Sequence, residues 1–265
     1  MEQGGSLIPK NKTEDIEEFI SEEIKKSGFP LEAYANMILD KKGWDINPHL
    51  LYYNESEQCY NEIDIVAIKS SLRKGFKGGK FLKREILIIE CKKQEKKPWI
   101  FFEGDEEIVD SSSLCVVPPN LNLVSKQSFK NHYYFKQKPC NYHFPTFVKS
   151  GKPDVIFDTI NHLIESIDSY KKTTLDLKKK ITFQGYDIYY PVIILDGKLF
   201  SAKIEIDGKI KVSEVNYLQL EVSRLRKEAE LLGISNVQIT WSNTKDYVID
   251  VVRKGFFEEF LKNFP

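Results

Sequence analysis

The 265-residue sequence lacks the features of a membrane-spanning or secreted protein. No apolar run approaches the about 18 residues that a membrane helix needs, and the polar start MEQGGSLIPKNK has no signal-peptide core. The cysteines are too widely scattered to indicate a disulfide framework, and they are Cys59, Cys91, Cys115 and Cys140. We therefore expect a soluble, reduced, cytoplasmic protein that does not contact a membrane.

The sequence also lacks an excess of one charge, because 39 Lys and Arg residues balance 39 Asp and Glu residues. This balance argues against a generally basic coat for nucleic acid. The charge is nevertheless segregated, since residues 69 to 97 contain eleven basic and three acidic side chains, and residues 14 to 23 contain six acids and no base. A solvated basic hairpin explains such a run equally well, so it matters only if a chemical site lies beside it.

Helical and β-rich segments alternate along the chain. Apolar residues at helical spacing predict helices over residues 13 to 26, 31 to 43 and 154 to 171. Strands are expected in WDINPHLLYYN, YNEIDIVAIK and EILIIEC, with a Gly-Lys hairpin loop between the last two. The sequence predicts one α/β domain over residues 1 to 265, with a mixed central sheet flanked by helices.

The rest of the chain predicts further strands and an insertion. YYPVIILDG and KLFSAKIEID are expected to be two strands joined by a hairpin turn at LDGK. A polar helix over about residues 218 to 232, the strand NVQITW and a closing helix over about residues 246 to 263 would follow. The proline-bearing residues 96 to 152 predict an irregular insertion packed on the core.

Three charged residues occur where strands should be buried. Asp64 lies within EIDIVAI, Glu90 ends the run ILIIE, and Lys92 follows on the same strand face as Glu90. Ions are rarely buried without a partner, because desolvating an isolated ion is costly. Two interpretations stay open: an ion pair between neighbouring strands, or a metal site.

A metal site explains more of this pattern. Asp64 and Glu90 on adjacent strands could supply oxygen ligands to Mg²⁺, which keeps several waters and takes other ligands from a phosphate. A metal-bound water can attack phosphorus, and Lys92 beside it could orient that water or stabilise the developing charge. The pattern therefore indicates phosphodiester hydrolysis as the chemistry to test.

The order Asp64, then Glu90-Cys91-Lys92, after a helix resembles the signature of the PD-(D/E)XK, or restriction-endonuclease-like, nuclease superfamily. FPLEAYANMILDKKGWDI, YYNESEQCYNEIDIVA and ILIIECKKQEKKPWIFF are similar to consecutive blocks of one bacterial and archaeal branch of it. The resemblance covers residues 28 to 100 well and residues 154 to 260 loosely. Ile63 stands where the family motif has Pro.

The resemblance implies a restriction-endonuclease-like core and a Mg²⁺- or Mn²⁺-dependent DNA endonuclease, with a role in defence or DNA repair. It implies Asp64 and Glu90 as metal ligands and Lys92 as the catalytic lysine. Glu32 in PLEAYA matches a helical glutamate that many members add to the metal site, although an acid is also favourable in any first helical turn. Glu62 would share the sheet face of Asp64, either supporting the site or lying at a solvated edge.

The basic loop would then meet backbone phosphates of DNA, which positions a substrate without reading its sequence. The residues expected to bind nucleic acid are Arg73, Lys74, Lys77, Lys80 and Lys93. A competing hypothesis is a non-catalytic nuclease-fold module that binds DNA or a protein partner in a multi-component system. The oligomeric state stays open, although cutting both strands with one site per chain would favour a homodimer.

Three weaker features have ordinary explanations. Asn161 and His162 could reach the site from the helix over residues 154 to 171, but helix surface is the simpler interpretation. Cys140 and His143 lack the second ligand pair that a zinc site needs. The aromatic residues 133 to 135 could stack on bases, but packing of the insertion explains them better.

Overall fold

The computed structural model describes residues 11–54, 57–74, 80–104, 115–117, 132–136, 138–145, 154–180, 185–225 and 244–264. Its helices are α1 (Asn11–Lys26), α2 (Phe29–Lys41), α3 (Val155–Lys180) and α4 (Phe257–Phe260). The first five strands are β1 (Asp45–Asn54), β2 (Cys59–Lys74), β3 (Lys80–Glu103), β4 (Cys115–Val117) and β5 (Cys140–Phe144). The others are β6 (Gly185–Ile204), β7 (Ile210–Glu214), β8 (Tyr217–Leu225) and β9 (Thr244–Arg253). Short 3₁₀ turns cover Tyr133–Phe135, Lys254–Phe256 and Leu261–Asn263.

The nine strands of the described ranges belong to one mixed sheet. β1, β2 and β3 form an antiparallel meander, and β6 lies parallel to β3 along most of its length. β9 pairs parallel with β6, and β8 pairs antiparallel with β9. β5 pairs with the end of β3, while β4 and β7 pair with the two ends of β6. The predicted α/β class with a mixed sheet flanked by helices is confirmed.

The central strand β3 supplies side chains to two separate hydrophobic cores. Ile86 and Ile88 pack in the core that contains the apolar face of α3, whereas Leu87 and Ile89 pack in the core that contains α2. This division follows from the alternation of side chains along a strand. Glu90 therefore continues the series that faces α3.

The helix α2 follows the pattern expected from its sequence. Pro30 lies in its first turn, where the missing N–H is tolerated, and Leu31, Ala35 and Leu39 are buried. The chain leaves the helix through Gly43, which has a φ of +73° that other residues rarely adopt. The predicted boundaries of this helix are thus confirmed within about two residues.

The expected hairpin turn at LDGK is wrong, because β6 runs through it without interruption. Gly197 lies beside β3 and not in a turn: a Cβ added there would lie 2.5 Å from the backbone oxygen of Gln94. The turn comes later, between β6 and β7, where Gly208 has a φ of +81°. Glycine in LDGK therefore marks a close approach of two backbones.

The predicted polar helix and closing helix are also wrong. Residues 217 to 225 form β8, and residues 244 to 253 form β9, with only short helical turns after it. Both strands contain polar residues that satisfy each other inside the fold: the Tyr217 hydroxyl donates to Asp250 Oδ1 over 2.8 Å. The predicted strand NVQITW and residues 226 to 232 lie outside the described residues.

The insertion is less irregular than expected where the structure describes it. β3 continues through Pro98 to Glu103, with a register shift between Gln94 and Trp99, and pairs with β5. Tyr133 and Tyr134 are buried, which confirms the core-packing interpretation of this aromatic cluster. Cys59, Cys91 and Cys140 are free thiols, and none of the described helices is long and apolar enough to cross a membrane.

Candidate active site

Asp64 and Glu90 lie side by side on neighbouring strands. The antiparallel register pairs Ile65 with Ile89, so the next positions along the two strands are Asp64 and Glu90. The backbone N–H of Cys91 donates to Asp64 Oδ2 over 2.7 Å. This hydrogen bond ties the Asp64 carboxylate to the strand that carries Glu90.

Lys92 completes the central group. Its Nζ lies 2.7 Å from Glu90 Oε1, and Glu90 is only 4% exposed. Burial would raise the pKa of Glu90, but hydrogen bonds from His162 and Lys92 and their charges outweigh it, and the pKa is lowered. Burial likewise opposes the charge on Lys92, yet Glu90 raises the pKa of the ammonium. The ion pair that the structure contains is thus formed within β3, and not between neighbouring strands as one of the two interpretations expected.

Glu32 reaches the same region from α2. Its side chain is 15% exposed, and its pKa is raised by burial and by the nearby carboxylates of Glu62 and Glu90, which outweigh the charges of His49 and Lys92. α2 packs on the sheet face opposite to α3, and Glu32 lies in the first turn of α2. The structure therefore brings Glu32 into electrostatic contact with the strand residues.

The cluster has more negative than positive charge at its centre. Burial and the charges of Glu90 and Glu32 raise the pKa of Asp64 to about 7, against the opposing effects of the Cys91 hydrogen bond and Lys92. Among the described residues, none donates a hydrogen bond to Asp64 Oδ1. Asp64 Oδ1 is therefore a carboxylate oxygen without a hydrogen-bond donor in the described ranges.

His49 is a neighbour of the site that the sequence interpretation missed. The register pairs Pro48 with Ile65 and Leu50 with Ile63, which puts His49 across from Asp64. Its φ of +54° is rare for a residue other than glycine. Its Nδ1 makes a short hydrogen bond to Glu62, which raises the pKa of the imidazole. Glu62 thus binds His49, while the other imidazole nitrogen lies 3.7 Å from Glu32.

His162, which the sequence suggested could reach the site but more simply explained as helix surface, contacts Glu90. Its Nδ1 lies 2.9 Å from Glu90 Oε2, and its ring is 6.1 Å from that of Tyr52. The available signal was a polar line along α3, because buried Thr159 and Ser166 lie three residues before and four residues after His162. The contact of His162 with Glu90 replaces its interpretation as helix surface. Asn161 lies beside it and is partly exposed.

Two of the residues expected to bind nucleic acid lie at the far end of the hairpin from this cluster. Arg73 and Lys80 are exposed near the end of the β2–β3 hairpin. Lys80 is ten positions before Glu90 on the same strand, a distance of about 30 Å along an extended chain. Lys74 ends β2 with its side chain outside the described part, and Lys77 lies outside the described residues. Of the described residues, Arg73 and Lys80 are therefore distant from the acidic cluster along the strands.

Three basic side chains of this run are paired with groups of the chain itself. Lys93 donates to the backbone oxygen of Lys25 over 2.6 Å and lies 3.1 Å from Glu95. Lys83 pairs with Glu85, and Arg84 pairs with Asp187. The charge excess of residues 69 to 97 thus does not translate into one continuous surface.

The weak zinc pattern does not form a metal site around Cys140 and His143. Cys140 is buried, and burial with the charge of Glu103 raises the pKa of its thiol to about 12. His143 hydrogen bonds to Asp154 over 2.7 Å. More generally, the described ranges contain no group of three or more His, Cys, Asp or Glu side chains arranged to hold a metal ion.

Comparison with known proteins found no matching family model, no matching curated protein and no matching solved structure.

Proposed function

We propose that this chain is a metal-dependent DNA endonuclease with a restriction-endonuclease-like core. The order of its elements supports this proposal: α2 precedes the meander β1–β2–β3, and α3 precedes β6, which is parallel to β3. The observation that carries the proposal is the placement of Asp64, Glu90 and Lys92. Glu90 and Lys92 form an ion pair on β3, and the Asp64 carboxylate on the neighbouring strand β2 accepts from the backbone N–H of Cys91 between them.

The donor chemistry fits a hard divalent cation such as Mg²⁺ or Mn²⁺. Asp64, Glu90 and Glu32 offer carboxylate oxygens, and burial together with the charges of neighbouring carboxylates raises the pKa of Asp64 and of Glu32. Mg²⁺ is commonly held by one or two carboxylates, with waters and substrate phosphates as the other ligands. A cluster of three ready-made protein ligands is therefore not required, and we assign the ion to Asp64 and Glu90, with Glu32 as an additional ligand.

The side chains then have distinct roles in phosphodiester hydrolysis. When bound, the metal ion would lower the pKa of a coordinated water and offset charge on the phosphate. Lys92 extends from the same strand as Glu90 and is 35% exposed at its side chain, so its ammonium can turn towards a substrate. There it would orient the attacking water or stabilise charge that develops on the phosphate oxygens. Asp64 and Glu90 hold their positions because both are on paired strands.

The direct test is an activity panel on linear, supercoiled, single-stranded and branched DNA, with and without Mg²⁺. The wild-type protein should nick at least one of these DNAs only when the ion is present. Asp64→Ala should abolish this cleavage, whereas Asp158→Ala, at an exposed position of α3, should leave it unchanged. Cleavage by Asp64→Ala equal to that of the wild type would count decisively against the proposal.

One observation favours the second candidate, a non-catalytic module that binds DNA or a protein partner. Both oxygens of Glu90 already have protein partners, Lys92 on Oε1 and His162 on Oε2. An acid satisfied in this way can serve structure alone. Calorimetric titration with Mg²⁺ and Mn²⁺ separates the two candidates, since a pure binding module should show no ion binding near neutral pH.

A further inference from the structure

A contact between His162 and Glu90 links α3 to β3, the strand that carries two of the proposed catalytic residues. The Nδ1 atom of His162, a residue of α3, lies 2.9 Å from Glu90 Oε2. Because an ionised carboxylate only accepts hydrogen bonds, Nδ1 must carry the proton. The orientation of the imidazole is thereby fixed, with Nε2 directed away from Glu90.

We propose that His162 is a positioning residue that holds the Glu90 carboxylate in the orientation required for ion binding. This inference rests on the proposed metal-dependent function. His162 would not bind the ion itself, because its Nδ1 is engaged with Glu90. Its role is to fix Oε2, so that Oε1 stays directed towards Lys92.

The need for such a residue follows from the other contact of Glu90. Oε1 is held by Lys92, a long side chain that is 35% exposed and that the proposed reaction requires to turn towards the substrate. When Lys92 moves, the contact from His162 Nδ1 is the side-chain contact of Glu90 that remains within the part of the chain that the structure describes. Glu90 is only 4% exposed. Without a hydrogen bond to either oxygen, its carboxylate would have no fixed orientation, and the cost of burying its charge would not be offset.

The imidazole is itself well placed to stay fixed. α3 is anchored by buried Ile160 and Leu163 on either side of His162 in sequence, and by Thr159 and Ser166 one turn away on each side. The Tyr52 ring lies 6.1 Å from the imidazole, on the side of β1. A donor on a rigid helix holds a carboxylate more precisely than a donor on a flexible lysine.

Three substitutions test this role without relying on catalysis. His162→Ala removes the donor, His162→Asn offers an amide N–H near the position of Nδ1, and His162→Gln offers one near the position of Nε2. The measurement is the affinity for Mn²⁺ alone, by calorimetry on the full chain without DNA. We expect His162→Ala to weaken Mn²⁺ binding by about 10–100-fold, the usual effect of losing a group that orients a metal ligand.

His162→Asn should bind Mn²⁺ nearly as tightly as the wild type, whereas His162→Gln should resemble His162→Ala. Thermal unfolding of the ion-free proteins tests for a merely structural role, because that role would lower the melting temperature of all three variants without separating Asn from Gln. Equal Mn²⁺ affinity in His162→Ala and the wild type would overturn the inference alone. If the wild type itself binds no Mn²⁺, both this inference and the proposed function are wrong.

Discussion

Two acid–base groups lie on the same face of β3, six positions apart, and they differ in how completely the chain neutralises them. At Arg84, the guanidinium donates from Nε and a terminal nitrogen to both oxygens of fully buried Asp187, over 2.8 and 2.7 Å. At the candidate site, Glu32, Asp64 and Glu90 share one ammonium, that of Lys92. About 20 Å of strand separates the two groups.

The difference shows which buried charges support the fold and which are left for a ligand. Asp187 receives two bonds from Arg84 and a third from the Tyr189 hydroxyl at 3.2 Å, so its oxygens are saturated by protein donors. Asp64 has a raised pKa and an oxygen without a described donor. A chain that tolerates this repulsion in its sheet gives up stability at that point, as functional sites commonly do.

The largest expected effect is the loss of activity in Asp64→Asn. An amide is a poor ligand for a hard cation, so cleavage of DNA should fall by about a thousandfold or more, about 4 kcal/mol in transition-state stabilisation. Stability should not fall. Because the folded-state pKa of about 7 lies above the ordinary value, the charged carboxylate opposes folding above pH 7, and a neutral side chain removes that opposition.

Chemical denaturation at pH 8, beside a plasmid nicking assay, checks both parts of this expectation. Asp158→Asn on the surface of α3 is the matched control and should change neither quantity. A clear loss of stability in Asp64→Asn would mean that Asp64 is a structural acid like Asp187, and the contrast between the two groups would disappear.

Arg84→Ala should have the opposite profile. It leaves Asp187 buried and without its charged partner, which should reduce the free energy of unfolding by about 3–5 kcal/mol. The specific activity of the remaining folded protein should stay close to that of the wild type, because the pair lies far from Glu90. Urea unfolding and nicking below the melting temperature provide the two measurements.

The double variant Arg84→Met with Asp187→Asn sharpens this test. It removes both charges while the Asn side chain can still accept from the Tyr189 hydroxyl, so it should recover most of the lost stability. A double variant as unstable as Arg84→Ala would show that the packing of the Arg84 side chain, and not its charge, supports this end of the sheet.

The sequence predicts well the features that depend on local pattern. β2 and β3 have β-rich runs, so the placement of Asp64 and Glu90 on neighbouring strands, and of Glu90 and Lys92 on one face of β3, follows from local pattern. α2 has Pro30 at its start and Gly43 after its end, and these punctuate the helix in any context. The proposed activity was likewise an expectation from these residues, and it stays a proposal.

The features that sequence could not predict depend on partners far away in the chain. Polar residues in β8 resemble a solvated helix until Gln219 and Tyr217 are seen to bond buried Asp250 from a neighbouring strand. His162 resembles helix surface until β3 places Glu90 beneath it. Periodicity reports which side of an element is apolar, but not which buried polar group will meet it.

Asp250 is intermediate between the two groups. Its described hydrogen-bond donors are all uncharged side chains. Tyr133, Tyr217 and Gln219 donate to a carboxyl whose pKa burial nevertheless raises to about 7. The folded state therefore prefers the protonated form. The stabilisation of the folded state by the proton on Asp250 is complete below the ordinary pKa of about 4 and is lost as the pH rises towards 7.

Asp250→Asn should remove this pH dependence. Relative to the variant, the wild type should lose roughly 2–4 kcal/mol of unfolding free energy between pH 4 and pH 8, with most of the change complete by pH 7. Urea unfolding of both proteins across this range gives the difference directly and cancels the titration of other groups. Parallel stability curves would indicate that Asp250 stays ionised and that its three donors neutralise it as fully as Arg84 neutralises Asp187.

The smallest expected effect concerns the backbone beside the candidate site. Gly197 on β6 passes Gln94, two residues after Lys92, and an added Cβ would lie 2.5 Å from the Gln94 backbone oxygen. Because that neighbour is backbone and cannot swing away, Gly197→Ala should force the strands apart and destabilise the fold by about 1–3 kcal/mol. Gly255→Ala, where an added Cβ would meet nothing within 4 Å, is the matched control and should be nearly neutral.

Since the strain falls at the Lys92 end of β3, Gly197→Ala should also reduce Mn²⁺ affinity, whereas Arg84→Ala should not. Equal Mn²⁺ affinity in both variants would mean that the two ends of this strand are mechanically coupled or that neither reaches the cluster.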